Sequence, residues 1–214
     1  MEHYWSQAAD YLSFLRQNQK EIQRAAALLT KITEQNRLIH IFGAQPFTSS
    51  LIATVFFRGG GLANLNPIMD PSLDIAHGAW RSSLCRDLIG LAPCVLDYYE
   101  NIQPGDAMLL LSEDPSSRLF REAVEHSLAK QLPVIVVAPL SQTTVEGCLC
   151  IDLGAAPSLS DGLLAAGFSM VLDLLLQQAA EGCKAPPRWQ GRGFPTTGGN
   201  EEILDAYWER IRHL

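Results

Sequence analysis

The sequence has little that marks a specialised chemistry. Its five histidines show no HxH or HxxxH spacing. Its five cysteines, Cys85, Cys94, Cys148, Cys150 and Cys183, are odd in number and form no CxxC pair, so neither a metal centre nor a disulfide framework is expected. Free thiols suit a reducing compartment. Neither GxGxxG nor GxxxxGK[ST] follows a strand-like segment, which leaves nucleotide binding the weakest reading. Basic residues are scarce: 16 Lys and Arg face 23 Asp and Glu, a net charge of −7. Broad nucleic-acid binding needs clustered cations and is therefore disfavoured. The first ten residues, MEHYWSQAAD, hold neither a basic nor an apolar leader region, and no apolar run is read as reaching the roughly 20 residues that span a bilayer. A cytoplasmic protein with no membrane or nucleic-acid partner is expected. Internal repeats and interdomain linkers are also missing.

What remains is an ordinary globular composition, 47% hydrophobic and 18% charged. The 214 residues are enough for one large core. One domain over 1–214 is expected, with an N-terminal helix in 1–35, an α/β core in 36–183, and an extended tail with a terminal helix in 184–214. Apolar residues at three- and four-residue steps from about 4 to 35 predict an amphipathic helix, long enough to bend. Continuous apolar runs at 38–42, 106–111, 133–137 and 148–153 predict buried strands. Helical rhythm at 47–57, 116–130 and 160–181 separates or follows them. Buried strands alternating with helices imply a three-layer α/β/α fold with a mainly parallel sheet of about five strands. The stretch 62–101, interrupted by Pro67, Pro71 and Pro93, yields only a helix near 81–89. Asn200 is expected to cap the last helix, with Glu201 and Glu202 in its first turn.

In an open parallel sheet, ligands collect beyond the carboxyl ends of the strands, where loops enter helix N-termini. That rule selects residues 43–50 and 112–118. Gly43, Thr48, Ser49, Ser50, Ser112, Ser116 and Ser117 are the ligand-binding candidates, because hydroxyls and backbone N–H groups there suit a phosphate or carboxylate. The bland alternative is that Thr48 or Ser49, and Ser116, cap helices. Glu113 and Asp114 would repel a phosphate dianion. They would instead suit sugar hydroxyls or an amine, or face water.

Several blocks together resemble a known family. The strand Ile39-His40-Ile41-Phe42-Gly43, the block Val55-Phe56-Phe57-Arg58-Gly59-Gly60-Gly61-Leu62, the segments Pro67-Ile68 and Ser72 to Ala79, and the ending Arg210-Ile211-Arg212-His213-Leu214 look like sugar isomerase (SIS) domain phosphosugar-binding proteins related to phosphoheptose isomerases. The resemblance implies a phosphosugar ligand, isomerase or lyase chemistry by acid/base residues without metal or organic cofactor, and association into homodimers or higher homo-oligomers. The apolar helices at both ends are the candidate contact surfaces. In such proteins the first loop carries a second glycine and a serine, and the later loop a Ser-x-Ser-Gly pattern. Here Pro46, Phe47, Asp114 and Pro115 stand in those loops.

The same resemblance nominates His77 as an acid/base residue, since Ala76-His77 occupies the place of a His-Glu pair. It also nominates Glu201, beside the Gly198-Gly199-Asn200 that replaces a Glu-His-Asn signature. A structural role for His77 beside Gly78 and Trp80 is the competing reading. Two functions follow as expectations: a phosphosugar isomerase or lyase, or a catalytically degenerate relative that senses a metabolite or supports an assembly.

Overall fold

The computed structural model describes residues 2–141, 144–154, 160–191 and 199–214. Part of the tail, 192–198, and the small-residue segment 155–159 lie outside the described residues. The chain opens with helices α1 (Glu2–Gln17) and α2 (Gln19–Glu34), then alternates β1 (Ile39–Gly43), α3 (Pro46–Val55) and β2 (Leu65–Ile68). A 3-10 turn (Ile75–His77), α4 (Ala79–Cys85) and α5 (Leu91–Tyr98) lead to β3 (Ala107–Leu111), α6 (Arg118–Ala129), β4 (Val134–Ala138) and β5 (Leu149–Asp152). The chain closes with α7 (Asp161–Gly182) and α8 (Asn200–Tyr207).

The five strands are parallel in the order β2-β1-β3-β4-β5. Side chains of successive strand residues point to opposite faces. Ile39, Ile41, Leu109, Leu111, Ile135 and Val137 therefore join α2, α3 and α7 in one core. Phe42, Met108, Leu110, Val134 and Val136 join α5 and α6 in the other. This is the three-layer α/β/α architecture expected. Because α3 covers one face and α5 the other, the chain reverses its winding at β1, and the crevice beyond β1 and β3 is the topological switch point.

Three local features differ from the sequence expectation. The first helix is broken at Asn18, whose side chain leaves helical bonding to pair with the Asp152 backbone: Nδ2 donates to its carbonyl at 2.7 Å, and the Asp152 N–H donates to Oδ1 at 3.2 Å. The tail is not simply a surface segment. Trp189 is 1% exposed, and its N–H and carbonyl bond Gly61 and Gly60 across the glycine block. A Cβ on Gly191 would lie 2.6 Å from the Gly59 Cα, so glycine at both positions lets the two backbones cross. Finally, α7 is long and apolar enough by composition to cross a membrane, yet half of its apolar stretch is buried inside the protein. Thr30 of α2 donates to the Ala179 carbonyl of α7 at 3.0 Å.

A buried polar cluster ties β1, β2 and β3 together on the sheet. His40 Nε2 lies 2.9 Å from Asp106 Oδ2, and Asn66 Nδ2 lies 2.8 Å from His40 Nδ1. Burial alone would raise the Asp106 pKa. Hydrogen bonds from His40 and from the Gln103 and Leu38 N–H groups outweigh it and hold the carboxyl below its ordinary range.

Candidate functional site

The carboxyl ends of β1 and β3 are level, with Gly43 paired to Leu111. The loops that leave them therefore meet. Gly43 allows this closeness, since a Cβ there would lie 2.3 Å from the Thr48 carbonyl carbon and 2.4 Å from the Ser49 nitrogen. The first turn of α3 sits directly on the strand end. Pro46 opens that helix, where its missing N–H costs nothing and its fixed φ suits the turn.

Gln45 holds the two loops together. Its side chain is buried, and all four of its bonding positions are used. Oε1 accepts from the Ser112 hydroxyl and the Glu113 N–H, each at 2.9 Å. Nε2 donates to the Ser117 hydroxyl at 2.9 Å and to the Asp114 carbonyl at 3.4 Å. Gln45 also exchanges bonds with Thr48, whose hydroxyl accepts the Gln45 N–H at 3.2 Å and donates to the Gln45 carbonyl at 3.1 Å. Sequence reasoning missed Gln45. Its only local signal is a polar residue just before a proline that starts a helix.

Glu113 supplies the charge. Its Oε1 accepts the Thr48 N–H at 3.0 Å, and the neighbouring Phe47 N–H also favours the carboxylate's charge. A carboxylate thus sits where the α3 dipole and free N–H groups favour an anion. Burial pushes the Glu113 pKa up. The Thr48 and Phe47 N–H groups and Arg86 pull the other way, while Asp161 at the start of α7 adds to the rise. Arg86 and Asp161 are rim residues that sequence spacing gave no reason to place here.

Several further donors of the two loops are also committed. Ala44 donates its N–H to Leu111, Ser49 to Gln45, Ser112 to Val137 and Ser117 to the Asp114 carbonyl. Asp114 Oδ1 accepts the Ser116 N–H at 3.0 Å and its hydroxyl at 2.6 Å. Ser117, not Ser116, caps α6 by accepting from Phe120. Ser50 is exposed and returns its hydroxyl to the Pro46 carbonyl at 2.9 Å. Of the expected ligand residues, Gly43, Thr48, Ser112 and Ser117 meet around Gln45, with buried Ser49 beside them on the first turn of α3. Ser50 and Ser116 lie on the outer rim. A groove of about 740 Å³ starts at Pro115 and Ser116 and follows α6 to Leu140 and Val145.

The two acid/base candidates do not enter this network. His77 is exposed on the 3-10 turn and makes no side-chain hydrogen bond among the described residues. Glu201 is exposed in the first turn of α8, also without such a bond. Asn200 is not the cap of that helix, because Gly199 occupies the position. The Asn200 side chain instead clasps the Gln190 backbone, accepting its N–H at 2.7 Å, a tie between tail and terminal helix.

Known proteins share this architecture. The chain is 31% identical over 125 residues to a UPF0309 protein of Listeria monocytogenes serotype 4b (strain CLIP80459), a match covering 58% of this chain and 50% of the relative. The chain thus spans about half the length of such relatives. Among solved structures, phosphoheptose isomerase from Neisseria gonorrhoeae superposes with a TM-score of 0.60 at 9% identity, over 82% of this chain and 95% of that one. A phosphoheptose isomerase from Francisella tularensis gives 0.58 at 12% identity, over 84% and 96%. At such identities the likeness is one of fold. The SIS domain model matches residues 3–139, from α1 through β4 and both loops of the site, and the chain belongs to the SIS domain family.

Proposed function

We propose that this SIS-family chain is a cytoplasmic binding protein for a sugar phosphate or closely related carbohydrate derivative, and that it senses its ligand rather than isomerising it. The ligand sits at the loops after β1 and β3. One observation carries the reading: the N-terminus of α3 holds the Glu113 carboxylate through the Thr48 N–H at 3.0 Å, so this end of the sheet retains an anion-binding position. Proton transfer to a sugar carbon needs an acid/base group held within hydrogen-bond reach of the ligand. Among the described residues no side-chain hydrogen bond holds His77 or Glu201, which favours binding without turnover. No metal or organic cofactor is required.

Self-association belongs to the same reading. Ile75, Trp80, Leu84, Leu88 and Ile89 lie within fifteen residues of chain and are all more than half exposed, Trp80 at 77% and Ile89 at 80%. A second copy covering them would remove that apolar surface from water.

Thermal-shift titration of aldose, ketose and amino-sugar phosphates, followed by NMR of the sugar, tests the function. Stabilisation by at least one compound with an unchanged sugar spectrum is expected. Isomerised product that disappears in His77→Ala would overturn the sensing reading. A panel with no stabilising compound would overturn the ligand class.

A further inference from the structure

The α3 N-terminus already has an occupant, and it belongs to the protein. We infer that Glu113 is the specificity-determining residue of the site, a built-in competitor that an oxyanion such as phosphate or sulfate must displace to reach the Thr48 N–H at the start of α3. The inference rests on the loops after β1 and β3 being the ligand site.

The geometry separates what must stay from what can leave. The loop backbone at 112–117 is fixed to Gln45 by bonds from the Ser112 hydroxyl, the Glu113 N–H and the Ser117 hydroxyl, none of which involves the Glu113 carboxylate. The Glu113 side chain is only half-buried, so it can swing outward while its own N–H stays on Gln45. The vacated N–H would then face outward with the helix dipole behind it. Co-occupancy is excluded, because a carboxylate and an oxyanion on the Thr48 N–H would compete for the same proton and repel one another.

Among the described residues, the charged groups that act on this position are Asp161 from the first turn of α7 and Arg86 from the residue after α4; Asp114 follows in the same loop with its Oδ1 on Ser116, and the first turn of α3 brings no acid. With Glu113 ionised, it and Asp161 outnumber the Arg86 guanidinium and the site refuses dianions. Protonating or removing Glu113 leaves Arg86 and the N–H groups to receive one. The wild-type site therefore admits oxyanions more readily as pH falls through the Glu113 titration. That pH lies above the ordinary carboxylate range because burial disfavours the charge.

Sulfate is a suitable probe because it keeps its charge from pH 5 to 8, and calorimetric titration of wild type, Glu113→Ala and Glu113→Gln decides the matter. Sulfate should bind Glu113→Ala at least tenfold more tightly than wild type at pH 7.5. Glu113→Gln, which keeps the bulk without the charge, should fall between them and serves if the alanine variant folds poorly. Lowering the pH should narrow the gap between wild type and Glu113→Ala, the contributions of Asp161, Asp114 and Arg86 being common to both. Equal affinity in wild type and both variants, or no sulfate binding by any of them, would overturn the inference. If sugar phosphates stabilise the wild type while sulfate ignores Glu113, the inference fails and the proposed function stands. If Glu113→Ala captures sulfate but no sugar compound binds, the proposed function fails instead.

Discussion

The Gln45 amide donates to the Ser117 hydroxyl at 2.9 Å, joining the loops after β1 and β3 across 72 residues of sequence. This bond makes the two loops one unit. With its companions at Ser112, Glu113 and Asp114, it uses hydroxyls and N–H groups that a phosphate-binding loop would leave open. Replacing Gln45 by leucine would strand the Ser112 hydroxyl and the Glu113 N–H and would take one donor from the Ser117 hydroxyl, which keeps the Phe120 N–H. Each buried orphan costs about 1–3 kcal/mol, so a loss of about 3 kcal/mol is expected in urea unfolding. Loss of less than about 0.5 kcal/mol would show the loops to be held by packing alone.

Asp106 links stability to pH on the acid side. Its pKa is depressed in the folded state, so its contribution is present above the ordinary carboxylate value and is lost as pH falls through the depressed one. Asp106→Asn should cost about 3 kcal/mol near neutral pH, because it breaks a buried pair and leaves His40 facing an amide. The same variant should flatten the loss of stability below about pH 4, a region read by chemical denaturation at several pH values.

Gly167 and Tyr11 form a knob and hole between α7 and α1. A Cβ on Gly167 would lie 2.0 Å from the Tyr11 hydroxyl, which is buried without a partner among the described residues. Alanine in a helix interior ordinarily gains about 1 kcal/mol over glycine. Here Gly167→Ala should instead lower stability by about 1–3 kcal/mol through overpacking. Adding Tyr11→Phe, which deletes the colliding and orphaned hydroxyl, should restore most of the loss in thermal melts.

Tail docking has its own optical reporter. Trp189 is 1% exposed, whereas Trp5, Trp80 and Trp208 are all above 60%. Phe57, held at a positive φ of 52°, packs its ring 4.6 Å from that of Trp189. Gly191→Ala would drive a methyl into the Gly59 backbone, so the blue-shifted share of tryptophan emission should fall while far-ultraviolet circular dichroism is retained. An unchanged emission spectrum would mean that the crossing of the two glycines does not hold the tail.

Much of this scaffold is legible in the sequence because buried parallel strands read as uninterrupted apolar runs, as at 39–43, 107–111 and 134–138. The edge strand β2 escapes such reading. Of Leu65-Asn66-Pro67-Ile68, Asn66 is spent on His40, and Pro67 is tolerated only because β2 pairs with β1 alone. The helix at 81–89 is shortened to α4, with Gly90 beginning α5 in a left-handed conformation. The alternation of strands and helices with the switch-point rule also selects the two loops of the candidate site. The meaning of Gln45 does not show, because its partners lie 67 to 72 residues away and glutamine has no local preference that reveals them. Glu113 is visible as a charge conflicting with phosphate. That the conflict is resolved by placing the carboxylate in the anion position becomes apparent only in three dimensions.

The central claim is that the α3 N-terminus is a binding site without chemistry. It is tested most directly by following the Thr48 and Phe47 amide resonances while a sugar phosphate that stabilises the protein is titrated in. The account predicts that both amides shift in a saturable manner as the Glu113 carboxylate leaves the Thr48 N–H, while the sugar spectrum stays unchanged over hours. Amides that remain still as the ligand saturates elsewhere, or the growth of product signals, would contradict it.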